Sequence, residues 1–123
     1  MKVYNKNNSY NTGDLKVLES HMLIGSRNVP EAAISIQISV IPVNSEQDVH
    51  SHSPEQCYYI IRGKGMMIIE DEECVVRAGD AIYIPANKKH GIKNTGEKEL
   101  EYLTANTPAF SNEYEEKLWS YKK

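Results

Sequence analysis

From residue 34 the chain alternates apolar and polar side chains: Ile34, Ile36, Ile38 and Val40 are separated by Ser35, Gln37 and Ser39. A period of two places the isoleucines on one face of a β-strand. Pro42 ends it, because proline has no N–H to give to a sheet ladder. Residues 57–62 (CYYIIR) form a short apolar and aromatic run, and Gly63-Lys64-Gly65 leads into residues 66–69 (MMII), a pattern that predicts a hairpin with a glycine-bearing loop. The acidic residues 70–73 predict a second turn, with residues 74–77 returning as the next strand. Ala78-Gly79-Asp80 then breaks the pattern before a strand at 81–84. Residues 90–93 and 99–104 supply two more strands, separated by the turn Asn94-Thr95-Gly96. No helix-length periodic segment interrupts residues 15–106, so crossover helices are excluded and the pattern predicts an all-β sandwich or barrel.

The two ends read differently. Residues 1–14 are polar and Asn-rich, which predicts a loosely docked arm ending near Gly13. Residues 107–123 form a tail in which Ser111 or Asn112 is placed to cap a helix, with Phe110, Tyr114 and Leu118 four apart and Trp119 beside them. That leaves 15–106 as the barrel, and a length of 123 residues suits one domain with its own core. Fourteen basic residues against seventeen acidic ones give a net charge of -3, so no overall positive field draws the chain to nucleic acid. No apolar run is long enough to span a membrane, and no leader-like apolar core follows Met1, so a cytoplasmic protein is expected. Cys57 and Cys74 each sit inside an apolar run and belong to no C-x-x-C pair, which predicts two buried, reduced thiols. Nucleotide-loop and nucleophile-elbow patterns are absent.

The chain has four histidines, and three of them carry the candidate chemistry. His50 and His52 are two apart just before a predicted strand, and on extended backbone such residues point to the same side. Gln56, four further on, keeps that parity, and its carboxamide oxygen is a metal donor. His90 follows a separate Gly-Pro turn, from which a neighbouring strand can bring its ring to the same place. Three neutral imidazoles with one oxygen suit a divalent transition metal: Zn, Ni, Cu, Fe(II) or Mn(II). His21, between Ser20 and Met22, reads as an ordinary histidine outside this set.

These spacings resemble the two motifs of the cupin superfamily. Its first motif, G-x5-H-x-H-x3,4-E-x6-G, falls on Asn44, His50, His52, Gln56 and Gly63; its second, G-x5-P-x-G-x2-H-x3-N, falls on Gly79, Pro85, Asn87, His90 and Asn94. Seven of the ten positions match by identity with every spacing kept, which makes the signal specific. The resemblance implies a small jelly-roll β-barrel over most of residues 15–106, with one divalent metal held by His50, His52, Gln56 and His90. It also implies a homodimer formed through the N-terminal strands. Asn44 and Asn87 stand where the motifs carry glycine, and asparagine accepts positive φ more readily than other residues.

Gln56 in place of the motif glutamate is the departure that bears on chemistry. A neutral donor leaves the metal its full charge of about +2. That favours Zn or Ni and a Lewis-acid reaction over redox chemistry. Cupins with a Gln ligand that resemble keto-sugar ring openers and polyketide cyclases are non-oxidative, which points the same way. Glu55 is a ligand only if a bulge reverses its parity. Tyr58 and Ile60 share the parity of Gln56 and are expected to line the cavity, with Ile36, Ile38, Met67, Tyr83 and Tyr102 as an apolar wall. Tyr58 and Glu55 are the candidate proton carriers. Lys88, Lys89 and Lys93 form a positive cluster around His90 that would attract an anionic substrate. The function expected is a non-oxidative isomerase, ring-opening or lyase reaction on a small anionic sugar or keto acid. An Fe(II) dioxygenase on the same ligands and a non-catalytic sensor or carrier are the alternatives.

Overall fold

The computed structural model describes residues 1–9 and 19–109. Within them run nine strands: β1 (Glu19–Ile24), β2 (Ser35–Ile41), β3 (Glu46–His50), β4 (Glu55–Arg62), β5 (Lys64–Ile69), β6 (Glu72–Arg77), β7 (Ala81–Ile84), β8 (His90–Asn94) and β9 (Leu100–Thr107). They form two antiparallel sheets, ordered β1-β2-β9-β4-β7 and β3-β8-β5-β6, the two layers of a jelly-roll barrel. Among the described residues the helical content is one 3-10 turn, Lys6–Asn8. The helix expected in the tail, with Phe110, Tyr114, Leu118 and Trp119, lies outside the described residues, as do residues 10–18, the end of the expected arm and the start of the expected barrel.

Residues 57–69 do not form the expected hairpin. β4 pairs with β7 and β9, whereas β5 pairs with β6 and β8, so Gly63 is the corner where the chain leaves one sheet for the other. Gly63 has φ +94, and a Cβ there would stand 2.6 Å from the Glu99 carbonyl oxygen. Only glycine combines that turn with so close an approach to β9.

The faces of β2 are also the reverse of the expectation. Its register with β9 pairs Ser35 with Asn106, Gln37 with Thr104, Ser39 with Tyr102 and Ile41 with Leu100. Because Tyr102, Leu100 and Ile41 belong to the core, this parity is the inner one. Ile36 and Ile38 therefore face outward and are half-buried. Alternation puts residues on a common face without saying which side of the sheet becomes the interior. Part of the outer face is covered by the N-terminal arm: Ser9 Oγ bonds His21 Nδ1 at 2.7 Å, and Lys6 Nζ lies 3.7 Å from Glu101. Cys57 and Tyr83, paired across β4 and β7, point outward and are exposed. Cys74 sits on the edge strand β6, so it is exposed too, and neither thiol is buried as the sequence suggests.

The core is Ile41, Tyr58, Ile60, Met67, Val76, Ile84, Ile92, Leu100 and Tyr102, drawn from both sheets. Each such side chain contributes about 1.5–3 kcal/mol by leaving water. Along the inner face of β4, β9 and β2 the rows change from polar (Gln56, Asn106, Ser35) through mixed (Tyr58, Thr104, Gln37) to mainly apolar (Ile60, Tyr102, Ser39). The polar end is where the histidines gather.

Candidate metal centre

His50 closes β3 and pairs with His90, the first residue of β8. His52 follows two residues later, in the segment crossing to β4 in the other sheet. Ring centroids are 4.4 Å apart for His50 and His90, 4.9 Å for His52 and His90, and 5.6 Å for His50 and His52. One nitrogen from each ring lies within 4.8 Å of the others. The loop from Pro85 to His90 is tied to this point by the Asn87 N–H, which donates to the His52 carbonyl at 2.9 Å. Asn87 and Asn44 adopt φ of 65 and 64, the positive values that the motif positions demand.

Each imidazole is oriented by a backbone carbonyl. Nδ1 of His50 meets Asp48 O at 2.7 Å, that of His52 meets Pro54 O at 3.0 Å, and that of His90 meets Lys88 O at 2.8 Å. A carbonyl only accepts, so Nδ1 carries the proton and Nε2 keeps its lone pair, the tautomer a metal ligand needs. Burial holds His90 down to about 4, against the Lys88 hydrogen bond, with the charges of His50 and His52 adding to the depression. His52 is lowered too, again chiefly by burial. Both rings are neutral at pH 7, and the buried Nε2 of His90 has no hydrogen-bond partner among the described residues.

Gln56 is the first inward residue of β4 and is buried. Its Nε2 donates to Asn106 Oδ1, which leaves Oε1 without a donor among the described residues. The side chain lies close enough to His52 to favour the protonated ring. With His52 neutral, an amide oxygen thus faces an imidazole lone pair, an arrangement that a cation between them makes favourable. Three converging imidazole nitrogens, with an amide side chain beside His52, are donors that fit a divalent transition metal.

The remaining expected residues fall elsewhere. Glu55 has the outward parity, is exposed, and accepts a hydrogen bond from Tyr83 at 3.1 Å, which raises the Tyr83 pKa. No bulge reverses it at Gln56, whose register with both neighbours is regular, so Glu55 is not brought to the histidines. Tyr58 is buried on the inner face, stacked on Tyr102 at 4.8 Å and edge-on to His90 at 6.2 Å. Its pKa is raised well above 10 by burial, and that of Tyr102 is also raised. His21 is buried beside Ser9 and Glu19, apart from the cluster. Lys88, Lys89 and Lys93 are exposed. A recess of about 810 Å³ opens between the edge strands β6 and β7, with Met67 and Ile82 in its wall and Glu70, Glu72, Asp80 and Lys88 among its lining; no histidine lines it. Asn106 and Ser35 are not singled out by the sequence, since they lie 50 and 71 residues from the partners they bond. Only strand register brings them together.

A family profile described as "Cupin domain" matches residues 37–106. An uncharacterised protein of Methanocaldococcus jannaschii is 38% identical over 80 residues, covering 64% of each chain. An oxalate-binding protein of Thermotoga maritima is 33% identical over 64 residues, 51% of this chain and 53% of that one. The chain thus spans between half and two-thirds of the length of these relatives. Among solved structures, a Thermotoga maritima protein described as a predicted oxalate decarboxylase superposes with a TM-score of 0.74 at 20% identity, covering 87% of this chain and 99% of that one.

Proposed function

The chain belongs to the cupin family, and from that premise we propose that it is a metal-dependent cupin acting without oxidation on a small oxygenated acid. His50, His52, Gln56 and His90 hold one divalent ion, with Zn or Ni favoured and Fe, Mn or Cu compatible with the donors. The observation that carries this reading is the convergence of three carbonyl-oriented imidazoles, with the Gln56 side chain beside His52. Bound there, the ion supplies Lewis-acid polarisation of a carbonyl or hydroxyl oxygen, the chemistry of isomerases and lyases. A neutral Gln56 leaves that polarising charge undiminished.

The protein's own groups orient and shield. Tyr58 keeps its phenolic proton at any working pH, because burial raises its pKa, so it serves as a hydrogen-bond donor to substrate and not as a base. The polar row at the cluster gives way to core side chains further in, which limits the substrate to a small molecule. An oxalate-binding relative supports a small anionic acid of that kind. A homodimer in the cytoplasm completes the proposal; exposed Tyr59, Ile61 and Tyr83 on the outer sheet face support pairing of two copies.

One observation favours a second reading, a non-catalytic small-molecule binder. Among the described residues no carboxylate joins the three histidines, so no general base of that kind stands beside the ion. Elemental analysis of protein purified anaerobically without chelator, followed by calorimetric titration with oxalate and small keto acids, tests the proposal. Stoichiometric zinc or nickel and a metal-dependent heat, with product detected by NMR, support the enzyme; binding without turnover supports the carrier. Iron with oxygen uptake points to a dioxygenase, and a protein that takes up no metal refutes the site.

A further inference from the structure

We propose that Asn106, anchored by Ser35, decides which end of the Gln56 carboxamide faces the three imidazoles and is thereby the positioning residue of the centre. The inference rests on the metal reading above and deepens it. The two ends of a carboxamide are nearly isosteric, but only the oxygen offers a lone pair to a cation. Left to the neighbouring imidazoles alone, the amide would turn the other way, because their Nε2 lone pairs attract an NH2 donor. The structure shows the opposite: Nε2 of Gln56 points away and donates to Asn106, and Oε1 of Gln56 and Nε2 of His90 remain two buried acceptors without donors among the described residues. Something must hold the amide against that local preference.

Strand register supplies it. Gln56 pairs with Asn106 across β4 and β9, and Asn106 pairs with Ser35 across β9 and β2, so the three side chains form one row. Asn106 Nδ2 donates to Ser35 Oγ at 3.1 Å, which commits its Oδ1 to the Gln56 side. With an acceptor presented to it, Gln56 can answer only with its NH2, and its oxygen is turned to the histidines. Gln56, Asn106 and Ser35 are 4%, 1% and 0% exposed, so bulk water cannot replace any partner in the row.

The test uses the full-length protein and cobalt(II) alone, with affinity read from visible absorption and calorimetry and folding read from the thermal melt of the metal-free protein. Asn106→Leu should weaken cobalt binding about 10- to 100-fold, the range usual for groups that orient a ligand. Asn106→Asp, whose carboxylate still accepts from Gln56, should stay within about threefold of wild type or bind more tightly. In a Gln56→Glu background the ligand has two equivalent oxygens and nothing to orient, so Asn106→Leu should cost less than about threefold there. Equal losses in both backgrounds, no loss in either, or failure of Asn106→Asp to retain binding overturns the proposal. Should Asn106→Leu not fold, Ser35→Ala frees Asn106 to turn and should weaken binding at least about threefold, no loss being the overturning result. Wild-type protein that takes up no cobalt overturns the metal reading together with this one; wild-type uptake with indifferent variants overturns this one alone.

Discussion

Asn94 ends the second motif four residues after His90, yet the structure gives it a structural task. It is 3% exposed, its Nδ2 donates to Ile41 O at 3.0 Å and to Lys98 O at 2.9 Å, and its Oδ1 accepts from Gly96 N at 2.9 Å. One side chain thereby joins the end of β2, the end of β8 and the turn before β9. Asn94→Ala removes three hydrogen bonds worth about 1 kcal/mol each and takes a partner from the Ile41 carbonyl inside the core, so a loss of about 3–4 kcal/mol is expected. For a domain of this size each kcal/mol moves Tm by about 3–4 °C, which puts the metal-free melt about 10 °C lower. Circular dichroism on heating measures it. Asn94 hydrogen-bonds none of the three imidazoles, so the folded variant should keep its metal affinity within about threefold of wild type. A fall in Tm below about 3 °C, or a metal loss as large as that of His90→Ala, would refute the reasoning.

His90→Ala deletes one of the converging nitrogens and should reduce zinc affinity at least about 100-fold by competition with a chromophoric chelator, while His21→Ala, outside the cluster, should leave it unchanged. Glu55→Gln, on the outer face, should leave metal content and substrate binding as in wild type; a large loss would place this carboxylate in the site after all. Gly63→Ala must put a Cβ 2.6 Å from Glu99 O at φ +94 and should cost at least about 2 kcal/mol, visible as a lower denaturant midpoint. In the metal-free protein His90 accepts its proton only near pH 4, whereas in the unfolded chain it does so near 6.5. Between those values the unfolded state holds more protons, so stability should fall as the pH drops from 6.5 toward 4, with His52 acting in the same direction. A melting temperature that stays flat from pH 7 to 5 would contradict buried neutral rings.

Much of the barrel is legible in the chain because β-structure writes short local signatures. Strands β4 to β9 fall close to the apolar runs, and the motif asparagines take the positive φ that their positions require. β3 (EQDVH) is not legible: it is polar and half-exposed, and its pairing with β8 defines it. Cys57 and Cys74 look buried in a linear reading because apolar neighbours surround them. An outward parity and an edge strand expose them.

Motif spacing was enough to mark His50, His52, Gln56 and His90 as one set, but His50 and Gln56 stand on strands of different sheets, so the crossing from β3 to β4, and not a shared strand parity, sets them side by side. It also told Glu55 apart from Gln56 by parity alone. Which face of β2 became the interior, that residues 57–69 change sheets at Gly63, and that Asn106 and Ser35 stand behind Gln56 were decided by tertiary structure. The reason is physical: alternation and turn chemistry are properties of neighbouring residues, whereas the side of a sheet and the partner of a buried amide are set by strands 50 or more residues away.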